Sequence, residues 1–287
     1  MTTVLSAPTR IFAHRGFSSR QPEMTLAAYQ EAIDWSLQEG VPLGLECDVR
    51  LTADAELVCL HDATLGRTSD AVGLVSNWTL AELRQLDFGS WWVQDPGPAQ
   101  RALVTLAELL DLVRDARARG AEVSLAIETK HSLGGGLDVD QRVCALLHDY
   151  GWDTPDAPVR LITFSVAGAR LQAVHAPDLE RTLLVDKRLG PYAEGVLPDG
   201  IVVVGVDIDL LRQNPDFVAK ARRRGNEVHA WTVNEPAEFE FCRDFGITGI
   251  TTDCPDRALR LLRGPEPPED TLVLLRGRRR RSRALAA

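Results

Sequence analysis

Lysine is nearly missing from this chain. Of its 32 basic residues only Lys130, Lys187 and Lys220 are lysines, so arginine is the default cation and each lysine calls for a reason. The five cysteines, Cys47, Cys59, Cys144, Cys242 and Cys254, contain no CxxC pair and are odd in number. That excludes a disulfide-stapled scaffold and predicts reduced, buried thiols in a cytoplasmic protein. No run approaches 18 apolar residues, and Met1 to Arg10 lacks a basic stretch followed by an apolar one, so neither a membrane span nor an export leader is expected. Positive charge is concentrated in one place: six arginines crowd between Arg276 and Arg283, and without them the chain is six charges more negative than its formal net −9. Such a body repels nucleic acid and anionic membrane, and an anionic substrate has to be met by local cations or a metal.

What is present is an alternation. At 287 residues and 45% hydrophobic, the chain is long enough for one large core. Apolar runs ending in polar residues fall near Ile11–His14, Pro42–Val49, Val123–Glu128, Arg160–Ser165, Arg181–Asp186, Ile201–Asp207, Glu227–Val233 and Ile247–Asp253. Helical spacing fills most of the gaps, with Pro215, Pro236 and Pro255 at helix starts and Gly40, Gly120, Gly151, Gly225 and Gly246 at helix ends. Eight strands with helical crossovers predict an α/β fold of the (β/α)8 TIM-barrel class over residues 9–263, with a doubly wound sheet as the alternative. The Asp186–Gly200 link, broken by Pro191 and Pro198, is too short for a full helix. Residues 63–101 are too long for a simple loop after strand two and carry Trp78, Phe88, Trp91 and Trp92, so they read as a small insertion. The Arg-rich stretch 264–287 reads as a flexible tail dispensable for catalysis.

Chemistry-bearing residues collect where such strands end. In Leu45-Glu46-Cys47-Asp48-Val49, residues two apart on a strand point the same way, so Glu46 and Asp48 aim at one point. Two buried like charges that close are costly unless a cation sits between them, which points to a divalent metal. His14-Arg15 ends the first strand, Glu128-Thr129-Lys130 the third and Trp231 the seventh, while His61 follows the short extended piece Glu56–Leu60. The compact ammonium of Lys130 can approach a phosphate oxygen where a planar guanidinium would need more room. In a barrel of this class all of these fall on the rim that carries active sites.

The ordered set resembles the glycerophosphodiester phosphodiesterase family over about Arg10 to Leu262. The matching motifs are His14-Arg15-Gly16 with Pro22-Glu23 and Thr25; Glu46-Cys47-Asp48-Val49 with Thr52, Asp54, Val58 and His61-Asp62, continuing through Leu65, Arg67 and Thr68; Glu128-Thr129-Lys130; Trp231-Thr232-Val233-Asn234; and Gly249-Ile250-Thr251-Thr252-Asp253 with Pro255. Two positions depart from the family pattern: Met24 replaces its usual Asn, and Val104 stands where Pro tends to precede the Thr-Leu of the next helix.

The resemblance implies hydrolysis of a small glycerol-linked phosphodiester to sn-glycerol 3-phosphate and an alcohol. Glu46, Asp48 and Glu128 would hold one hard divalent ion, Mg²⁺ or Ca²⁺, through oxygen ligands. Arg15 and Lys130 would neutralise phosphate oxygens and Trp231 would wall the glycerol or the leaving group. His14 and His61 would act as general acid and base, with His61 favoured as the acid because its loop is the longer and more movable. The attacking oxygen is either the glycerol 2-hydroxyl or water. Two other readings stand beside this one: a phospholipase D-like enzyme of the same barrel acting on lysophospholipid or sphingolipid, and a non-catalytic phosphodiester-binding barrel. The oligomeric state leaves no mark in the sequence.

Overall fold

The computed structural model describes residues 9–131 and 136–263, and the Arg-rich tail lies outside the described residues. The strands are β1 (Arg10–Ala13), β2 (Leu43–Leu51), β3 (Leu57–Cys59), β4 (Val123–Thr129), β5 (Val159–Thr163), β6 (Arg181–Val185), β7 (Val203–Asp207), β8 (Glu227–Trp231) and β9 (Gly249–Thr252). The helices are α1 (Leu26–Glu39), α2 (Leu80–Leu83), α3 (Pro98–Arg101), α4 (Leu106–Ala118), α5 (Asp138–Asp149), α6 (Val166–His175), α7 (Ile208–Gln213), α8 (Asp216–Arg223), α9 (Pro236–Phe245) and α10 (Pro255–Arg263). All strands except β3 run parallel and close into an eight-stranded barrel, with β1 hydrogen-bonded to both β2 and β9. β3 is an antiparallel hairpin arm on the end of β2, where Val49 faces Cys59.

Local chemistry explains the helix limits. Thr105 and Glu108 form a reciprocal capping box at the start of α4, and Gly40 and Gly246 end α1 and α9 in the left-handed conformation. On α4 the residues Leu106, Leu109, Leu110, Val113 and Ala116 are buried, so one stripe faces the sheet. Between β6 and β7 there is only the 3-10 turn Gly190–Tyr192, as the two prolines predict. Helix α7 was not expected. The Asp207 carboxylate accepts from the Asp209 and Leu210 amides and turns the chain straight from strand to helix, leaving no loop for a sequence pattern to show.

The main core lies between the strands and the surrounding helices. A second, smaller cluster fills the barrel itself: Phe12, Ala126, Ile162 and Leu184, with Trp231 packed on it. Gly44 makes this possible, because a Cβ there would sit 2.1 Å from the Phe12 ring. Below it, at the strand starts, Arg10 and Arg160 pair with Glu227 and Glu180, and the buried His229 lies 3.2 Å from Arg10.

Between β3 and α4 the chain builds a small core of its own, which includes Leu65, Val75, Leu83 and Phe88, with Trp78 packed against it. Phe88 and Trp78 thus anchor this segment. Trp91 and Trp92 do not: they are 38% and 43% exposed. Among the described residues no helix is long and apolar enough to cross a membrane.

Candidate active site

Register assembles the acids. β2 and β4 pair so that Asp48 faces Glu128, and Glu46 lies two residues earlier on the same face of β2. All three are buried, and one carboxylate oxygen from each lies within 4.8 Å of the others. The turn after β1 supplies the next contacts. Arg15 has φ +56, a conformation disfavoured for a side-chain-bearing residue, and there its amide donates to Glu46 Oε2 at 2.9 Å. Its guanidinium stands 3.3 Å from Asp48 Oδ2 and donates to Glu23 at 2.9 Å. Lys130 Nζ reaches Asp48 Oδ1 at 2.9 Å and Glu128 Oε1 at 2.5 Å. Phe164 and Trp231 close the apolar side of the resulting cavity of about 330 Å³, their rings perpendicular with centroids 5.5 Å apart.

Two cations do not balance this cluster. Burial first, and then Asp48, push the Glu46 carboxyl well above its ordinary range and raise Glu128 to about 8. Burial opposes ionisation of Asp48 too, but Lys130, Arg15 and His61 overcome it and hold that carboxyl below the usual range. Arg15 and Lys130 are likewise raised, because the acids outweigh the burial that would lower them. The protein alone therefore disfavours three simultaneous carboxylates near neutral pH. Asp48 Oδ2 is in addition buried without a hydrogen-bond partner. A hard divalent cation fits such a set, since it would take oxygen ligands and remove the repulsion.

The two histidines both line the cavity, each held at Nδ1 by a carboxylate. His14 Nδ1 is 2.6 Å from Asp253 Oδ1, and Asp253 in turn accepts from Ser18 at 2.9 Å and Asn234 at 2.6 Å. His61 Nδ1 is 2.6 Å from Asp62 Oδ1, and Arg67 bridges Asp62 to Glu23. Nε2 is the ring nitrogen each has left to offer the cavity, and both rings line it. Arg50 donates twice to the His61 carbonyl, at 2.9 and 2.5 Å, so the loop expected to be movable is fastened at its catalytic end. Burial, assisted by Arg15 and Lys130, lowers the His61 pKa.

All eight residues singled out in the sequence, His14, His61, Glu46, Asp48, Glu128, Arg15, Lys130 and Trp231, meet at this one cavity. Sequence reasoning assigned no role to Asp62, Asp253, Glu23, Arg67 or Arg50. Four of these stand inside the quoted motifs, and Arg50 is next to one, but partners such as His14 and Asp253 are 239 positions apart and no spacing rule joins them. His131, next to Lys130, does not line the cavity and pairs instead with the fully buried Asp140 at 2.7 Å.

A sequence profile of the Glycerophosphoryl diester phosphodiesterase family matches residues 14–257, which include every residue of the cavity. The chain belongs to this family. It is 38% identical over 261 residues to "Probable glycerophosphodiester phosphodiesterase 1" of Mycobacterium tuberculosis, covering 88% of this chain and 92% of that one. It is 30% identical to the glycerophosphodiester phosphodiesterase of Bacillus subtilis, covering 91% and 89%. A solved phosphodiesterase from Oleispira antarctica, in complex with the product sn-glycerol-3-phosphate, superposes with a TM-score of 0.75 at 26% identity over 90% of this chain and 98% of that one. Together with the family match, these relatives identify an enzyme that hydrolyses glycerophosphodiesters.

Proposed function

We propose that the chain cleaves small glycerophosphodiesters to sn-glycerol 3-phosphate and an alcohol, with one Mg²⁺ or Ca²⁺ ion held by Glu46, Asp48 and Glu128 and with His14 and His61 as acid and base. The observation that carries this reading is the imbalance at one rim: three buried carboxylates against two cations, flanked by two carboxylate-held imidazoles. When bound, the ion supplies positive charge next to the phosphoryl oxygens, where negative charge builds up during attack. Arg15 and Lys130 take the remaining oxygens, each already poised between acids that fix its direction. Trp231 and Phe164 wall the glycerol.

The lowered pKa of His61 means a neutral ring at pH 7, which suits a proton acceptor. His61 Nε2 therefore takes the proton of the attacking oxygen, whether the glycerol 2-hydroxyl or water, and His14 Nε2 gives one to the departing alkoxide. This reverses the assignment favoured on loop length, since the His61 loop is held by Arg50 and Arg67. The five free, buried cysteines support an enzyme of a reducing, cytoplasmic compartment.

The test is release of the alcohol, choline or ethanolamine, from glycerophosphocholine, glycerophosphoethanolamine and a lysophospholipid, with sn-glycerol 3-phosphate as the second product of the two soluble diesters, before and after EDTA and with Mg²⁺ or Ca²⁺ restored. Turnover of the soluble diesters, lost with EDTA and recovered with one ion, is expected. Turnover of the lysophospholipid alone would favour the phospholipase D-like reading. Detection of a cyclic glycerol phosphate in rapidly quenched samples would identify the 2-hydroxyl as the attacking group.

A further inference from the structure

Beside the cavity lies a second, more open groove of about 420 Å³ that shares His14 and Arg15 with it. Its far wall is the Trp91–Trp92 pair, with ring centroids 5.6 Å apart and planes at 68°, an aromatic corner open to solvent. Two adjacent exposed tryptophans are costly for a soluble surface, yet this pair is rigidly mounted. The Trp91 indole donates to the Phe88 carbonyl at 2.9 Å, and Phe88 is buried in the small core of the segment. The Asp87 carboxylate accepts from the Gly89 and Ser90 amides and pairs with Arg101, and Gln100 ties the segment to Gln21 on the loop after β1. Gly89 is packed so closely that a Cβ would stand 2.7 Å from the Gln100 carbonyl oxygen.

A phosphodiester has two arms. If Arg15 holds a phosphoryl oxygen and His14 protonates the departing alkoxide, as the proposed function has it, the glycerol arm occupies the Trp231 cavity and the leaving arm lies on the side of His14, where this groove opens. We propose that the Trp91–Trp92 groove is the subsite for the leaving alcohol and that it selects a cationic one, of the quaternary ammonium class. Indole faces attract such a cation electrostatically, and a pair inclined at 68° can contact it on two sides. Glu23 and Asp253 line the same groove but are engaged by Arg15, Arg67, His14 and Asn234, and Arg257 stands there too, so the attraction for a cation rests on the indole pair. The acidic body of the chain favours a zwitterionic diester over one with an additional negative charge.

The experiment compares glycerophosphocholine with glycerophosphoglycerol, whose alcohol arm is neutral, in wild type, W91L/W92L and W91F/W92F, with thermal melts as a check on folding. In W91L/W92L the KM for glycerophosphocholine is expected to rise about five- to tenfold, while kcat/KM for glycerophosphoglycerol changes less than about twofold. W91F/W92F keeps most of the preference. Equal loss on both substrates, or loss on neither, overturns the assignment. Broadening of the choline N-methyl proton resonance by the protein provides a readout without turnover: it should be present in wild type and absent in W91L/W92L. If wild type cleaves neither diester but still broadens choline, the hydrolytic reading fails and the subsite stands. If it cleaves both but never broadens choline, the subsite fails alone. Sedimentation with phosphatidylglycerol vesicles that W91L/W92L loses, with an unchanged choline-to-glycerol ratio, would assign the pair to a lipid surface and overturn the proposal.

Discussion

The two mouths of the barrel carry the same kinds of residue in different proportion. At the strand starts two acids, Glu180 and Glu227, meet two arginines, Arg10 and Arg160, with His229 lying between Arg10 and Glu227. At the strand ends Glu46, Asp48 and Glu128 meet Arg15 and Lys130, and Arg15 is shared with Glu23. Paired charges close one end; an excess of acids over cations leaves the other in need of a further cation. A charge cluster is thus informative through its balance rather than its size, and the two ends should respond in opposite ways to loss of Glu46 and of Glu180.

The largest effect is expected at the unbalanced end. The E46Q/D48N variant should lose at least about 1,000-fold in kcat/KM, because it removes two ligands of a centre that stabilises developing charge. Without metal, E46Q alone should melt at or above wild type, since repulsion between buried carboxylates is relieved, whereas D48N, and with it the double variant, leaves Lys130 and Arg15 short of a partner and should melt lower. Added Mg²⁺ or Ca²⁺ should raise the wild-type melting temperature and leave the double variant unmoved. Melting curves with and without EDTA check both statements, and a variant that still responds to the ion would remove these acids from the site.

Next come the histidines and the carboxylates behind them. H14A and H61A should each lower kcat by about 100-fold or more, and the double variant should cost far less than the product of the two. D62N tests orientation against direct chemistry. Asp62 raises the His61 pKa through its hydrogen bond, so its loss should move the acidic limb of the kcat/KM profile to lower pH while lowering kcat about tenfold. An unmoved limb would mean that His61 is not the group titrating there.

Much of this rim was legible in the sequence because strand periodicity is local. Glu46 and Asp48 declare a shared face by being two apart, and the scarcity of lysine marks Lys130. Closure of the barrel was readable from the count of alternating elements. The residues that brace the site were not, since Asp253, Arg67 and Arg50 act through contacts that only the closed barrel creates. Met24 shows a different gap. Its departure from Asn suggests a missing polar contact, but the residue is buried with φ +58, and Asn is a residue that tolerates this backbone conformation. The balance between the two mouths was likewise invisible, because Arg10, Arg160, Glu180 and Glu227 come from four separate segments.

At the balanced end the expected effect is on stability. E180Q leaves Arg160, whose side chain is 13% exposed, without its carboxylate partner. Glu180 itself is about one-third exposed, so solvent screening keeps the cost to about 1–2 kcal/mol. Urea melts should register this loss, and kcat should stay within about twofold because Glu180 lies at the mouth opposite the cavity. A large fall in kcat at unchanged stability would show that the two ends communicate through the Phe12–Trp231 cluster.

The smallest effect is the share of the pH dependence that comes from that same end. Burial first, then Arg160 and Arg10, lower the His229 pKa, and Glu227 offsets this only in part. The folded protein therefore binds fewer protons than the unfolded chain as pH falls through the ordinary histidine value of about 6.5. Its contribution is present above that value and declines below it, by at most about 1.4 kcal/mol per pH unit for one group. His61 is lowered in the same direction by burial, so the wild-type slope combines both mouths. Between pH 7.5 and 5.5 the metal-free protein adds the opposite contribution of Glu46 and Glu128, whose raised carboxyls take up protons on folding, so the readout is the change each variant makes in urea midpoint between the two pH values. Relative to wild type, H229Q should shift that change toward less loss on acidification with EDTA present or absent, whereas H61Q should do so while retaining the share of His229. If H229Q leaves the slope unchanged, the balanced mouth takes no part in the pH response, and the whole dependence belongs to the rim that carries the acids.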